Sequence, residues 1–231
     1  MVSARAFSAD AWDRVQPCFT AIVRHPFVVA LGDGTLEQDV FVRYLIDDAH
    51  YLIGYARALS LVAARLPDPD GLAALASSAS EAVAAERPLH TTFLAGVGVD
   101  PDAAGVSEPT PTCRSYVGTL VADAALAPVE VAVAGLLPCF RVYEEVGRHI
   151  AAAPHDDGWA HPYRSWIDTY ADPAFAASVR AAEMLADRLV APVPAARVED
   201  MHRAYALSTR YEWMFWDASW RGESWPRPGD G

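Results

Sequence analysis

Three side chains that could carry acid–base or nucleophilic chemistry fall on helix faces that are otherwise apolar. Asp48 lies on the apolar face of one predicted helix, one turn after Tyr44. Cys139 directly follows Pro138 on the apolar face of a second, and Glu212 lies among aromatic residues on a third. Carboxyl groups serve proteins as general acids and bases, and thiols serve as nucleophiles. These three residues are therefore the candidates for catalysis.

Each of the two carboxylates has two interpretations. An unpaired charge on a buried face is costly, so such a group is either held by hydrogen-bond donors or becomes neutral. Asp48 fits a structural carboxylate held by tyrosine hydroxyls or an arginine, and equally a functional one. Glu212 fits a carboxyl with a raised pKa facing a cavity, and equally a partner of an arginine.

The position of Cys139 after a proline favours an opening beside the sulfur. Pro138 removes one backbone hydrogen bond, so we expect it to kink the helix just before the thiol. The alternative is that Cys139 packs as a small hydrophobic residue, which is the usual fate of a lone cysteine.

Apolar residues recur with the helical period between short breaks rich in Pro, Gly and Asp. The clearest helix is expected from Thr35 to Leu66, with Thr35 and Gln38 forming a capping box. Asp172-Pro173 is a second start signal, a capping carboxylate followed by proline. The pattern predicts about eight helices and no sheet, hence an all-α, single-domain bundle over residues 1–231.

The composition excludes several classes of function. Hydrophobic residues make up 52% of the chain and charged residues 21%, as in globular proteins. The net charge of -12 disfavours nucleic acid and anionic lipid surfaces. All 18 basic residues are arginine, which excludes a Schiff-base lysine and a P-loop lysine.

Metal chemistry has little support in the sequence. Glu199-x-x-His202 matches half of a di-iron carboxylate site, and Glu86 and His90 are four residues apart. A di-iron bundle needs two such Glu-x-x-His pairs and two further glutamates on facing helices. We therefore expect no metal and no organic cofactor.

The N-terminal region and the cysteines favour a reducing compartment. Residues Met1 to Asp13 hold no apolar run of signal-peptide length, and no segment approaches the length of a membrane span. Cys18, Cys113 and Cys139 are odd in number and widely spaced, unlike a disulfide framework. We expect a cytoplasmic protein with reduced thiols.

Several segments, taken together and in order, resemble the thiaminase II (TenA) family. The most specific are Leu136 through Gly147 (LLPCFRVYEEVG) and Tyr211 through Trp216 (YEWMFW). The remaining matches are His25-Pro26-Phe27, Gly34-Thr35-Leu36, Phe41 through Leu52 (FVRYLIDDAHYL), Glu86 through Phe93 (ERPLHTTF), Thr110-Pro-Thr with Tyr116, and Glu223-Ser-Trp-Pro226. They cover nearly the whole chain.

The resemblance implies a haem-oxygenase-like helical fold, a homotetramer and a specific site. It places the nucleophile at Cys139, the acid/base glutamate at Glu212 and the pyrimidine-holding aspartate at Asp48. The pocket residues that it implies are Tyr51, Tyr116, Tyr170 and Phe215. The sequence departs from the family at Asp47, where glutamine is common; adjacent helical residues point about 100° apart, so Asp47 need not enter the pocket.

The activity that the resemblance implies is cysteine-dependent hydrolysis at the 5-methylene of a 4-amino-2-methylpyrimidine, giving hydroxymethylpyrimidine in thiamin salvage or degradation. Three alternatives remain open: a haem-binding or di-iron oxygenase, a non-catalytic pyrimidine-binding or regulatory protein, and an enzyme of the same family adapted to another small amine. The chain after Trp225, or from about residue 223, is expected to be a flexible tail.

Overall fold

The computed structural model describes residues 5–96, 107–153 and 160–226, without the side chains of residues 85–96. These ranges contain ten helices and no strand, which confirms the all-α prediction. The helices are α1 (Phe7–Arg14), α2 (Gln16–Val23), α3 (Pro26–Gly32), α4 (Gln38–Ala63), α5 (Pro69–Gly96), α6 (Pro111–Leu126), α7 (Val129–Ala151), α8 (Arg164–Ala171), α9 (Pro173–Val190) and α10 (Ala195–Arg221).

The prediction of about eight helices was low because the first 32 residues form three short helices. Pro17 and Pro26 lie in the first turns of α2 and α3, where a missing backbone N–H costs nothing. His25 caps α3, since its Nδ1 accepts a hydrogen bond from the Phe27 backbone N–H at 3.2 Å. A single apolar pattern therefore conceals several helix starts.

The predicted capping box at the start of α4 was wrong. The helix begins at Gln38 with Glu37 as its N-cap, and no side chain caps it. Thr35 and Leu36 instead donate their backbone N–H groups to the Ala30 carbonyl, at 2.9 and 3.0 Å. These hydrogen bonds hold Thr35 and Leu36 against the end of α3, so α4 begins only after them.

The Asp172-Pro173 start signal was correct, and the expected tail begins with fixed contacts. The Asp172 carboxylate caps α9 by accepting from the Ala174 N–H at 2.6 Å. Gly222, with a φ of 66°, ends α10 in the left-handed conformation that favours glycine. Beyond it, Glu223 and Trp225 form hydrogen bonds to the start of α6. The remainder of the expected tail, residues 227–231, lies outside the described residues.

A single cluster of buried side chains draws on all ten helices of the described chain. The long helix α4 packs on α5 and α6, and α7 packs on α10, α9 and α8. Trp166 and Trp216 are each 1% exposed at the centre of this cluster. The helices α4, α6, α7 and α10 therefore meet around one interior. No helix in the described ranges combines the length and apolar character needed to cross a membrane.

The helices α7 and α8 approach so closely that one position requires glycine. A Cβ atom added to Gly147 would lie 2.8 Å from both the carbonyl carbon and the Cβ of Tyr170. Contacts below 3.0 Å with backbone atoms cannot be relieved by rotating a side chain, so α8 would have to move. Gly118 on α6 is a useful contrast, because an added Cβ there meets nothing within 4 Å.

We predict opposite effects of alanine at these two glycines. Gly147→Ala should lower the free energy of unfolding by about 1–3 kcal/mol, because it overpacks the contact between α7 and α8. Gly118→Ala should raise it by about 0.5–1 kcal/mol, because alanine has the higher helix propensity. Urea denaturation followed by circular dichroism measures both, and a stabilising Gly147→Ala would contradict the close approach.

Candidate active site

Cys139 lies in the middle of α7 and keeps more accessible surface than its immediate neighbours. Helix α7 runs without a break from Val129 to Ala151, with Pro138 inside it. Residues 132–138 and Phe140 are all buried, whereas Cys139 is partly exposed. Within this closely packed stretch, Cys139 is therefore the residue with the most accessible surface.

The surroundings of Cys139 keep its sulfur protonated. Burial raises the pKa of the Cys139 thiol well above its usual value, and the charges of Glu212 and Asp48 raise it further. The hydroxyls of Tyr51 and Tyr55 act in the opposite direction. In the ligand-free protein Cys139 is thus a neutral thiol at pH 7, and a nucleophilic attack requires a group that takes its proton.

Glu212 is buried and bound to a tyrosine. It is 1% exposed, and its Oε1 accepts a hydrogen bond of 2.6 Å from the Tyr116 hydroxyl. Burial raises the pKa of Glu212 to about 8; the Tyr116 hydrogen bond lowers it and the nearby Asp48 charge raises it. Glu212 is mainly a neutral acid at pH 7, so it can give up a proton at that pH.

Asp48 lies close to both groups. It is 2% exposed, and its charge contributes to the raised pKa values of Cys139 and Glu212. It also raises the pKa of Tyr44, one turn earlier on α4, and that of Tyr143 on α7. The three chemistry-bearing residues of the sequence analysis therefore belong to one buried group drawn from α4, α7 and α10.

Aromatic rings surround this group. The ring centroids of Tyr51 and Tyr116 are 5.0 Å apart, and the Phe215 ring lies edge-on to Tyr51 at 5.5 Å. The buried Tyr51 hydroxyl lies beside the thiol, yet it has no partner of complete hydrogen-bond geometry among the described residues. A flat ligand would find apolar walls and an available hydroxyl here.

Tyr170 is the seventh predicted site residue, and its ring contacts other aromatic side chains. Its ring packs on Tyr143 at 4.7 Å, on Trp166 at 4.7 Å and on Phe175 at 5.3 Å. Burial raises the pKa of Tyr143, and the charges of Asp48 and Glu212 raise it further, so Tyr143 lies beside the buried group. Six of the seven predicted site residues thus belong to one group, and Tyr170 reaches that group at Tyr143.

Three further tyrosines, which are not among the predicted pocket residues, lie beside the buried group. The Tyr55 hydroxyl donates to the Leu136 backbone oxygen at 2.8 Å. The hydroxyls of Tyr44 and Tyr143 are 3.2 Å apart. The signal that could have found them is their helical spacing, four residues from Asp48, Tyr51 or Cys139.

Asp47 turns away from the three chemistry-bearing residues. Its carboxylate accepts hydrogen bonds from the Thr110 backbone N–H at 2.9 Å and from the Thr110 hydroxyl at 2.5 Å. Burial raises the pKa of Asp47, and the Thr110 hydrogen bonds oppose this. The residue that departs from the family pattern is therefore bound to the start of α6.

The residues singled out for metal binding make other contacts. Glu199 pairs with Arg14 at 3.1 Å, and the Nε2 of His202 lies 3.2 Å from Asp10. The side chains of Glu86 and His90 are outside the described residues. Among those that are described, no group of three or more His, Cys, Asp or Glu side chains is arranged to hold a metal ion.

Known proteins resemble this chain in sequence. It is 34% identical over 177 residues to the thiamine biosynthesis multifunctional protein ThiED of Corynebacterium efficiens; the match covers 77% of this chain and 23% of that protein. The chain thus spans about a quarter of that relative's length. It is 32% identical over 202 residues to the aminopyrimidine aminohydrolase of Bacillus subtilis, covering 87% of this chain and 84% of that enzyme.

Solved structures share the arrangement of helices. A TenA homologue from P. horikoshii OT3 superposes with a TM-score of 0.85 at 25% identity, over 94% of this chain and 100% of that one. A domain from Shewanella denitrificans OS217, described as having a heme oxygenase-like fold, gives 0.71 at 16% identity, over 93% and 92% of the two chains. The helical bundle is therefore haem-oxygenase-like.

The model of the TENA/THI-4/PQQC family matches residues 12–222, a range that begins in α1 and ends at the Gly222 cap of α10. It includes each helix that contributes to the buried Cys139, Glu212 and Asp48 group. With a family match over most of the chain and the corresponding fold, this protein belongs to the TENA/THI-4/PQQC family, in its TenA (thiaminase II) branch.

Proposed function

We propose that this protein is a hydrolase acting on 4-amino-2-methylpyrimidines that carry a leaving group on the 5-methylene, with hydroxymethylpyrimidine as product. The observation that carries the proposal is that the thiol of Cys139, a residue with some accessible surface, lies beside the buried neutral acid Glu212. The name of the Bacillus subtilis relative, an aminopyrimidine aminohydrolase, supports this substrate class.

The aromatic walls suit a planar heteroaromatic ring. Phe215 and Tyr51 provide faces and edges against which a pyrimidine packs. Asp48 accepts a hydrogen bond from the exocyclic amino group and so fixes which ring edge faces the sulfur. The Tyr51 hydroxyl, which lacks a complete hydrogen bond in the described structure, gains a partner when the ring binds.

The first covalent step adds the thiol across a carbon–nitrogen bond of the electron-poor ring. The sulfur of Cys139 bonds to the ring carbon, and the adjacent ring nitrogen gains a proton from Glu212, which takes up the thiol proton in turn. The raised pKa values of both groups suit such a relay, because neither has to lose its proton before the substrate arrives.

The remaining steps exchange the leaving group for water. The amino-group electrons move through the ring and expel the group on the methylene. An amine leaves with a proton from Glu212; the thiazolium of thiamin leaves as neutral thiazole without one, and in that case the proton lost by water in the next step is released to solvent. Water adds to the resulting exocyclic methylene and gives up a proton, which returns Glu212 to its acid form. The ring nitrogen then returns its proton to the sulfur as the carbon–sulfur bond breaks. The net reaction consumes one water and regenerates the thiol.

The cysteine provides the most direct test. Cys139→Ala should lower kcat at least about 10³-fold with an unchanged helical circular dichroism spectrum, because the nucleophile is lost and the fold is not. The assay follows hydroxymethylpyrimidine by chromatography after incubation with 4-amino-5-aminomethyl-2-methylpyrimidine and, separately, with thiamin. The faster substrate distinguishes salvage from degradation.

A matched control is available in Cys18. This second thiol donates to the Thr209 carbonyl at 3.6 Å; burial raises its pKa, and the charge of Glu212 raises it further. Cys18→Ala should keep wild-type turnover. Full activity in Cys139→Ala, or its loss in Cys18→Ala alone, would contradict the proposed nucleophile.

The acid role of Glu212 predicts a pH dependence. Since the pKa of Glu212 is about 8, the neutral acid predominates below that pH and disappears above it. We expect kcat/KM to fall as the pH rises through about 8, and Glu212→Gln to be slow without this alkaline decline. Initial rates between about pH 5.5 and 10, corrected for the substrate's own ionisation, measure it. A decline that survives in Glu212→Gln would assign it to another group.

The alternatives lead to different results in the same preparation. An oxygenase would contain iron or absorb visible light, which elemental analysis and an absorption spectrum detect. A binding or regulatory protein would retain the pyrimidine without forming product. The homotetramer and the cytoplasmic location stay predictions, and light scattering measures the first.

A further inference from the structure

Two carboxylates from distant parts of the chain bind the first residues of α6. Asp47 of α4 accepts from the backbone N–H and the hydroxyl of Thr110, at 2.9 and 2.5 Å. Glu223, beyond the end of α10, accepts from the Thr112 N–H at 2.9 Å. The first N–H groups of a helix have no partner within it, and negative charge stabilises that end. The two carboxylates therefore anchor the start of α6.

Neighbouring contacts hold the same few residues. The Thr110 hydroxyl accepts from the Cys113 N–H at 3.2 Å, and the Cys113 thiol donates to the Asp47 backbone oxygen at 3.3 Å. The indole N–H of Trp225 donates to the Pro109 carbonyl at 2.8 Å. Residues 109–113 thus contact α4 on one side and the C-terminal segment on the other.

Helix α10 is bonded to α6 through two of its side chains, one of which is the candidate acid. Glu212 accepts from the Tyr116 hydroxyl at 2.6 Å, and the Tyr211 hydroxyl lies 2.9 Å from the Ser115 hydroxyl and 3.4 Å from that of Thr119. Beyond α10, the left-handed turn at Gly222 redirects the chain and Glu223 reaches the first turn of α6, its own N–H bonded to the Ala218 carbonyl at 2.9 Å. The Glu223 contact thus holds the start of α6, one turn before the residue that donates to Glu212.

Tyr116 lies one helical turn after Thr112, so a displacement of the helix start moves its hydroxyl. Its ring is stacked on Tyr211 with centroids 4.8 Å apart and planes 9° from parallel, and it packs on Tyr51 on the other side. This packing leaves the ring few alternative rotamers. The backbone position of α6 therefore decides whether the Tyr116 hydroxyl meets Glu212.

We infer that Asp47 and Glu223 are positioning residues for catalysis, which hold the start of α6 so that the Tyr116 hydroxyl stays bonded to Glu212. This inference rests on the proposed function, in which Glu212 is the proton donor. It assigns a task to the Glu223-Ser-Trp-Pro226 segment and to the carboxylate at position 47, neither of which takes part in the covalent steps.

The effect on Glu212 has a definite sign. Because the Tyr116 hydrogen bond lowers the pKa of Glu212, loosening that bond moves the pKa upward from about 8. The other ionisable groups that interact with Glu212 are Cys18 of α2, Tyr44, Asp48, Tyr51 and Tyr55 of α4, and Cys139 and Tyr143 of α7. None of these belongs to the anchor, so substitutions at Asp47 and Glu223 leave them in place.

The test measures the pKa of Glu212 directly in the full chain. Carbon-13 NMR of labelled glutamate carboxyls reports it, with the signal assigned by its absence in Glu212→Gln. Glu223→Ala is the principal variant because Glu223 is only half-buried and its loss should leave the fold intact. Asp47→Ala removes the other anchor, and Asp47→Asn retains its shape. Tyr116→Phe removes the contact itself and provides the reference.

We expect Glu223→Ala and Asp47→Ala to raise the pKa of Glu212 and to lower kcat/KM about three- to tenfold, as for the loss of one hydrogen bond. Asp47→Asn should recover part of both. In a Tyr116→Phe background Glu223→Ala should have no further effect on that pKa, because the contact through which it acts is already absent.

A carboxylate of the same geometry elsewhere supplies the control. Asp187 accepts from the backbone N–H and the hydroxyl of Ser8 at the start of α1, at 2.8 and 2.9 Å. Asp187→Ala should reduce stability without moving the pKa of Glu212. Equal shifts in Asp187→Ala and Glu223→Ala, no shift in Glu223→Ala, or additivity with Tyr116→Phe would each overturn the inference.

The NMR titration also separates the two proposals, because it needs no turnover. A pKa of Glu212 that responds to Glu223→Ala in a protein without hydrolase activity would support the anchor and refute the proposed function. Hydrolysis that depends on Cys139, together with a pKa of Glu212 that does not change in Glu223→Ala, would support the proposed function and refute the anchor.

Discussion

Two carboxyls and a thiol lie together where water does not reach them freely. Glu212 and Asp48 are 1% and 2% exposed, and both act on the Cys139 thiol. A buried charge loses its hydration, and like charges at short range disfavour one another further. The pKa of Glu212 therefore rises to about 8 and that of Cys139 rises well above its usual value. The rest of the site has to accommodate groups that hold protons at neutral pH.

Tyrosine hydroxyls supply the polar contacts that water would supply elsewhere. Tyr116 donates to Glu212, Tyr51 and Tyr55 lie at the thiol, and Tyr44 and Tyr143 contact each other beside Asp48. Each brings a large apolar ring together with one polar atom, so the cluster packs densely and still binds the carboxyls. Such contacts act over one hydrogen-bond length, which is why the anchoring of α6 by Asp47 and Glu223 bears on the chemistry of Glu212.

Local sequence signals predict where a helix begins or ends when the hydrogen bond that sets this boundary joins residues close together in the chain. Asp172 before proline acts on its own backbone and was interpreted correctly. Gly222 ends α10 in the same local way, through its own left-handed conformation. Thr35 was misinterpreted because its N–H is bonded to Ala30, a residue of the preceding helix. A capping pattern predicts that a residue can cap a helix, whereas competing hydrogen bonds to the neighbouring turn decide whether it does.

The sequence by itself determined that Asp48, Cys139 and Glu212 occupy apolar helix faces, because the helical period fixes the direction of each side chain. It could not determine which faces meet. The hydrogen bond between Tyr116 and Glu212 spans 96 residues, and it exists because α6 and α10 pack side by side. Tertiary packing also placed the Tyr170 ring against Tyr143 and bound Asp47 to Thr110. Periodicity gives the direction of a side chain, and only the packed helices decide what lies there.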